Sequence, residues 1–194
     1  MGTTSPYFFT ACRLATGKGL HDLLECALLV SKQRKDVKFL VAGQGHLEKE
    51  LRAKIMRTGL SKTVELLGQV NDRTKLVEYF SQAVACIHPS HSEGMPSVIL
   101  ESMACGRPVI AAEVCGSIDL VDHNVNGLLV PPHQPRALAD AVIKLSNELG
   151  LADRLGEEGR RKVREHYSWN TVVDSYINEY LVLCKQSEPS GKHH

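Results

Sequence analysis

Short apolar runs with strand character alternate with longer segments whose apolar residues recur at helical spacing, and the alternation persists along most of the chain. This pattern restricts the fold more than any single motif. Strand, crossover helix and strand make a βαβ unit, and successive units build a parallel sheet covered by helices on both faces. Predicted strands run over Tyr7 to Leu14, Val37 to Ala42, Thr63 to Leu67, Ala83 to Ile87, Pro108 to Ala111 and Gly127 to Val130. Between them, helical faces are carried by Leu20, Leu23, Leu24, Ala27 and Leu28, then by Leu47, Leu51 and Ile55, then by Leu76, Val77 and Phe80. A short helix is expected near Ile118 to Val121. Three helices should follow the last strand: one marked by Leu138, Ala141, Val142 and Leu145, one over Leu151 to His166, and a last one capped by Ser168. Trp169, Val172, Val173, Tyr176, Ile177, Tyr180 and Leu181 should face inward from that last helix. The expected class is α/β, a three-layer parallel sheet of about six strands.

At 194 residues the chain can build one substantial core. Its 23 basic and 22 acidic residues leave a net charge of +1, too small to imply nucleic acid or an anionic membrane as partner. No apolar run approaches a membrane span. The six cysteines include no C-x-x-C pair and the nine histidines show no zinc spacing, so no metal site is expected and a reducing, cytoplasmic setting is the simplest account. Residues 1–6 read as a start or linker, 7–185 as the domain, and 186–194 as a disordered tail ending in a tag remnant.

In parallel sheets ligands bind beyond the carboxyl ends of strands, and the polar motifs fall there. After the fourth strand comes Glu93-Gly94-Met95-Pro96-Ser97-Val98-Ile99-Leu100-Glu101. Pro96 suits the first position of a helix. A helix start offers unpaired N–H groups and a partial positive charge, which suits a phosphate. Glu93 and Glu101 flank that start, about 12 Å apart if all the steps between were helical. A carboxylate at each end can accept hydrogen bonds from a sugar and a ribose, with a diphosphate between them.

Arg13 and Lys18, at the end of the first strand and the start of its helix, are placed to meet the diphosphate. Gly43-Gln44-Gly45 and Gly68-Gln69-Val70 close the second and third strands, and the Val70 backbone is placed for a nucleobase edge. Asn71 or Asp72 should cap the next helix. His88 reads as structural, His91 and Ser92 as lesser candidates, and Ser117 as a plain N-cap. Neither a G-x-x-x-x-G-K-[ST] P-loop nor a G-x-G-x-x-G fingerprint is present.

Taken in order, these motifs resemble the C-terminal, donor-binding domain of a GT-B glycosyltransferase, most like retaining family four. The resemblance runs from Arg13-Leu14 and Lys18-Gly19 through Gly43-x-Gly45, Gly68-x-Val70, Pro89-Ser90, Glu93-Gly94-x-Pro96 and Glu101-x-Met103-Ala104-x-Gly106-x-Pro108-Val109 to Asn126-Gly127-Leu128-Leu129-Val130-Pro131. It implies a Rossmann-like domain, one half of a GT-B fold. It implies transfer of a sugar from a UDP- or GDP-sugar to an acceptor hydroxyl, with no cofactor and no metal.

Arg13, Lys18 and Glu93 would be catalytic. Glu101 would bind the ribose. The backbone of Gly94, Met95, Pro96, Ser97 and Val98, with Val70, Gly43 and Gly45, would complete the donor site. The N-terminal GT-B domain would be the absent partner, carrying the acceptor site and any membrane association, and an apolar patch near Tyr176 and Tyr180 would be left exposed without it. Cys12, Gln44, Cys115 and Asp119 depart from the family's usual residues. A nucleotide-sugar epimerase and a non-catalytic binding module are the competing readings.

Overall fold

In the computed structural model, which describes residues 5–186, six parallel strands stand in the order β3-β2-β1-β4-β5-β6. The strands are β1 (Tyr7–Ala11), β2 (Lys38–Ala42), β3 (Val64–Gly68), β4 (Ala85–His88), β5 (Val109–Ala112) and β6 (Gly127–Val130). The helices are α1 (Leu20–Ser31), α2 (Glu48–Arg57), α3 (Arg73–Gln82), α4 (Ser97–Ala104), α5 (Ser117–Leu120), α6 (Pro135–Asn147), α7 (Leu151–His166) and α8 (Trp169–Gln186). The expected α/β class and the strand count both hold. The chain starts in the middle of the sheet, builds outward to β3, then returns to add β4 on the other side of β1. That reversal opens a crevice between the β1 and β4 loops, the usual ligand position in such sheets.

Burial follows from the topology. Every residue of β4 and β5 is buried, because these strands have neighbours on both sides and helices on both faces. One core cluster joins α1, α2 and α6 to the sheet through Leu23, Leu51, Phe8 and Val142. The other joins α3, α4 and α5 to it through Phe80, Met103, Phe9 and Leu120. There Phe9 stacks on Tyr79 at 5.4 Å and meets Phe80 edge-on at 4.9 Å. Helix α7 serves both clusters, with Leu155 in the first and Val163 against the second.

Three expectations need correction. Val77 is exposed rather than inward, since α3 covers the sheet mainly through Phe80 and the half-buried Leu76. Pro96 is not the first helical residue: its ψ of 101° is extended, and α4 begins at Ser97. Apart from half-buried Val172, the apolar residues expected to face inward from α8 are exposed. Tyr176 and Tyr180 are 63% and 66% exposed, with Trp169, Val173, Ile177 and Leu181 exposed beside them. Among the larger contacts between described elements, α8 touches only α7, so most of its apolar surface has nothing to lie against. The patch expected near Tyr176 and Tyr180 is therefore present. Ser168 does cap α8, its hydroxyl accepting from Thr171 N–H at 3.2 Å, and Asp72 caps α3 through Thr74 and Lys75. The expectations for residues 1–4 and 187–194 lie outside the described residues.

Helix α7 packs on α4 and on the turn after it through glycine. A Cβ at Gly156 would run into the Gly106 carbonyl, and one at Gly159 would meet Met103 Cγ at 2.9 Å. Alanine normally strengthens a helix interior by up to about 1 kcal/mol over glycine. Here overpacking opposes that gain and outweighs it, because the obstacle at Gly156 is the Gly106 backbone, which cannot swing aside as a side chain would. Gly156→Ala should lower stability by about 1–3 kcal/mol, measured by urea unfolding; a stabilised variant would show that α7 moves freely off the turn.

Candidate functional site

The crevice at the switch between β1 and β4 is made by loops that approach backbone to backbone. Gly19, with φ 65°, starts α1 in a left-handed conformation, and a Cβ there would run into the Pro89 carbonyl. His91 N–H and the Ser90 hydroxyl both donate to the Gly17 carbonyl, at 2.8 and 3.1 Å. The β1 loop is thus tied to the β4 loop. On its other side it is tied to the β2 loop. Leu14 N–H donates to Gln44 O at 2.9 Å, and Leu47 N–H donates back to Leu14 O at 3.1 Å. Gly43 and Gly45 permit this second approach, because a Cβ at either would strike the Cys12 or Leu14 carbonyl.

A hollow of about 470 Å³ opens over the strand ends. Arg13, Gly43, Val70, Ser97, Val98 and Glu101 line it, together with Ala11, Cys12, Ala42, Gln44, Gln69 and Leu76. One wall is the first turn of α4, whose leading N–H groups have no partner within the helix. Arg13 and Glu101 are exposed to the hollow, while Val70 and Val98 give it apolar surface. A cation, an acid, helix-start amides and a strip of apolar wall therefore share one cavity.

Beside this hollow stands a charged cluster. Lys18 Nζ donates to Glu93 Oε1 at 2.6 Å, and the Glu93 side chain is only 13% exposed. Buried His88, the last residue of β4, places Nε2 3.2 Å from the same oxygen. That approach is too oblique for a hydrogen bond, and Nε2 has no other protein partner. Burial pushes the His88 pKa down more than the nearby carboxylate raises it, so the ring is neutral at pH 7. For Glu93, burial alone would raise the pKa. The hydrogen bond from Lys18 and its nearby positive charge oppose that rise, and the group lies below its usual range and is ionised. Cys12, in the wall of the hollow, feels both charges: burial lifts its thiol to about 11, Lys18 draws it down and Glu93 raises it. The cluster and the hollow are electrostatic neighbours.

The remaining expected residues are more scattered. Gly94 and Met95 are exposed beside the cluster and do not line the hollow. Pro96 is buried beneath the helix start, and Gly45 serves loop packing. The Cys115-Gly116-Ser117 turn lies on the Glu93–Gly94 backbone, since a Cβ at Gly116 would run into the Gly94 carbonyl. Ser117 differs from the plain cap expected: it is fully buried within α5 and its hydroxyl has no protein partner. The unsatisfied atoms of His88 and Ser117 both belong to segments flanking Glu93. Neither was assigned to the site from sequence, because burial without a partner is a tertiary property.

A second, larger hollow of about 560 Å³ lies along edge strand β3, lined by Lys38, Arg52, Met56 and Glu65 among others. It is remote from every strand-end motif, and lateral position at a sheet edge explains it. No helix among the described residues is long and apolar enough to cross a membrane.

Comparisons with known proteins agree with this geometry. The chain is 32% identical over 171 residues to the O-antigen chain mannosyltransferase C of Escherichia coli, covering 87% of this chain and 44% of that protein. It thus spans less than half the length of that relative. A TarM mutant of S. aureus, solved in complex with fondaparinux, alpha-GlcNAc-glycerol and UDP, superposes with a TM-score of 0.83 at 27% identity, over 90% of this chain and 35% of that one. The C-terminal domain of a glycosyl transferase group 1 family protein, LpcC of Francisella tularensis, superposes with a TM-score of 0.77 at 25% identity, over 84% of this chain and 87% of that one. The fold is accordingly the Rossmann-like half of a GT-B glycosyltransferase. A family model for glycosyl transferases group 1 matches residues 2–162, and the chain belongs to that family.

Proposed function

We propose that this chain is the donor-binding half of a retaining glycosyltransferase that moves a sugar from a UDP- or GDP-sugar to an acceptor hydroxyl. One observation carries the proposal: the Arg13–Glu101 hollow and the Lys18–Glu93 pair lie side by side at the β1/β4 switch. The nucleoside occupies the hollow. Its base lies against Val70 and Val98, and its ribose hydroxyls donate to Glu101. The diphosphate rests at the start of α4, on the N–H groups of Ser97 and Val98. Arg13 holds it from the hollow and Lys18 from the cluster, the first as a fork and the second as a point charge.

The donor sugar extends toward Glu93, past the exposed Gly94 and Met95. Glu93 is held ionised by Lys18, so it acts as a fixed acceptor and negative charge, not as a proton donor. It orients sugar hydroxyls and supports positive charge at the anomeric carbon as the bond to the diphosphate breaks. Arg13 and Lys18 neutralise the departing diphosphate, so these two side chains fill the charge-neutralising role without a metal. The binding of UDP by a structural neighbour supports the nucleotide assignment. The 44% coverage of a full-length relative supports a second domain that supplies the acceptor pocket and faces the open side of the crevice. The reaction takes place in the cytoplasm.

Calorimetry with UDP, GDP and their sugars tests the nucleotide site. Arg13→Ala and Glu101→Ala should each weaken binding by about 1–3 kcal/mol; full affinity in folded variants would place the nucleotide elsewhere. A second expectation concerns charge. Removing the lysine in Lys18→Met leaves burial as the dominant influence on Glu93, so its pKa should rise, as read by carboxyl carbon NMR. In the parent chain the folded pKa lies below the unfolded one. The pair therefore stabilises the fold above the unfolded carboxyl pKa, and that contribution is lost as pH falls through the folded value. Lys18→Met should show less of this acid-side loss.

A further inference from the structure

Outside the donor site, the fold brings together three side chains from distant parts of the sequence. Asp22 lies in the first turn of α1, His91 follows β4, and His133 sits in the turn between β6 and α6. His91 Nε2 is 2.7 Å from Asp22 Oδ2. The His133 ring packs on the His91 ring with centroids 3.7 Å apart and planes tilted by 42°. One ligand atom from each residue can be chosen so that all three lie within 4.8 Å of one another. Ligand atoms on a tetrahedral ion, at about 2.0–2.2 Å from it, stand about 3.4 Å apart, so modest side-chain rotation closes the set.

We propose that Asp22, His91 and His133 form a binding site for a divalent transition-metal ion of the zinc class. The donor set of two imidazoles and a carboxylate suits that class and does not suit magnesium or calcium, which take oxygen ligands. His133 has φ 57°, an uncommon conformation for any residue but glycine, and its ring stacks on His91 from that turn. Asp22 and His133 also border a narrow crevice walled by Pro89, Pro131 and Pro132, whose rings restrict the backbone around it.

The site clasps the start of α1, the loop leading to Glu93 and the turn before α6. It thereby braces the segments that carry Lys18 and Glu93 without touching the sugar donor. It does not rest on the donor-site reading and is tested separately from it.

The test is cobalt titration of the full chain with His193→Ala and His194→Ala, which removes the terminal histidines as competing ligands. Stoichiometric binding is expected, with visible ligand-field absorption, a rise in melting temperature and no thiolate-to-cobalt charge-transfer band. Asp22→Asn and His133→Gly should each abolish the absorption and the melting shift; glycine at 133 suits the observed backbone and keeps the turn. His46→Ala should change neither. Absence of binding, binding retained in both ligand variants, or a thiolate band from the cysteines would each overturn the proposal.

Discussion

The close approach of the β1 and β4 loops, at Gly19 against Pro89, is the constraint on which the site depends. Strand order alone only leaves a crevice between these loops. The absence of a Cβ at Gly19 lets the start of α1 reach the Pro89 carbonyl, and Gly17 then accepts from the Ser90 hydroxyl and the His91 N–H. This contact delivers Lys18 to Glu93. It also sets Asp22, one turn into the same helix, beside His91. A charged pair and a candidate metal site therefore share one backbone contact as their cause.

Electrostatics divides the region into two parts with different chemistry. In the hollow, Arg13 and Glu101 are exposed and can change partners when a ligand arrives. Beside it, Lys18, Glu93 and His88 are crowded and largely shielded from water. Burial there favours neutral groups and keeps His88 uncharged, while Lys18 holds Glu93 ionised against the same burial. A fixed anion thus stands beside a cavity that pairs one exposed cation with one exposed acid.

The outer layers show a similar dependence on small residues. Gly156 and Gly159 bring α7 onto α4 and the Gly106 turn, and so hold the helix that carries Glu101 from behind. Helix α8 has no comparable seat. Its tyrosines and aliphatic residues have a helical pattern but mostly face away from the rest of the described residues.

The sequence by itself determined the α/β class, the approximate position of six strands and eight helices, and the strand-end location of the polar motifs. These follow from local patterns: continuous apolar runs for strands buried on both faces, period near 3.6 for helices, and glycine or capping residues at the junctions. Pattern alone does not fix which helix faces are covered, because apolar spacing shows that a face exists and not whether anything lies against it; Val77 and the α8 residues are the instances. Only the tertiary structure decided which motifs share a cavity. Arg13, Val70 and Glu101 meet in the hollow, Gly45 turned out to serve loop packing, and His88 and Ser117 emerged as buried groups beside Glu93. The same holds for Asp22, His91 and His133, which no ligand spacing along the chain reveals. Their proximity is created by the parallel crossovers, which carry each strand's carboxyl end to one edge of the sheet regardless of sequence separation.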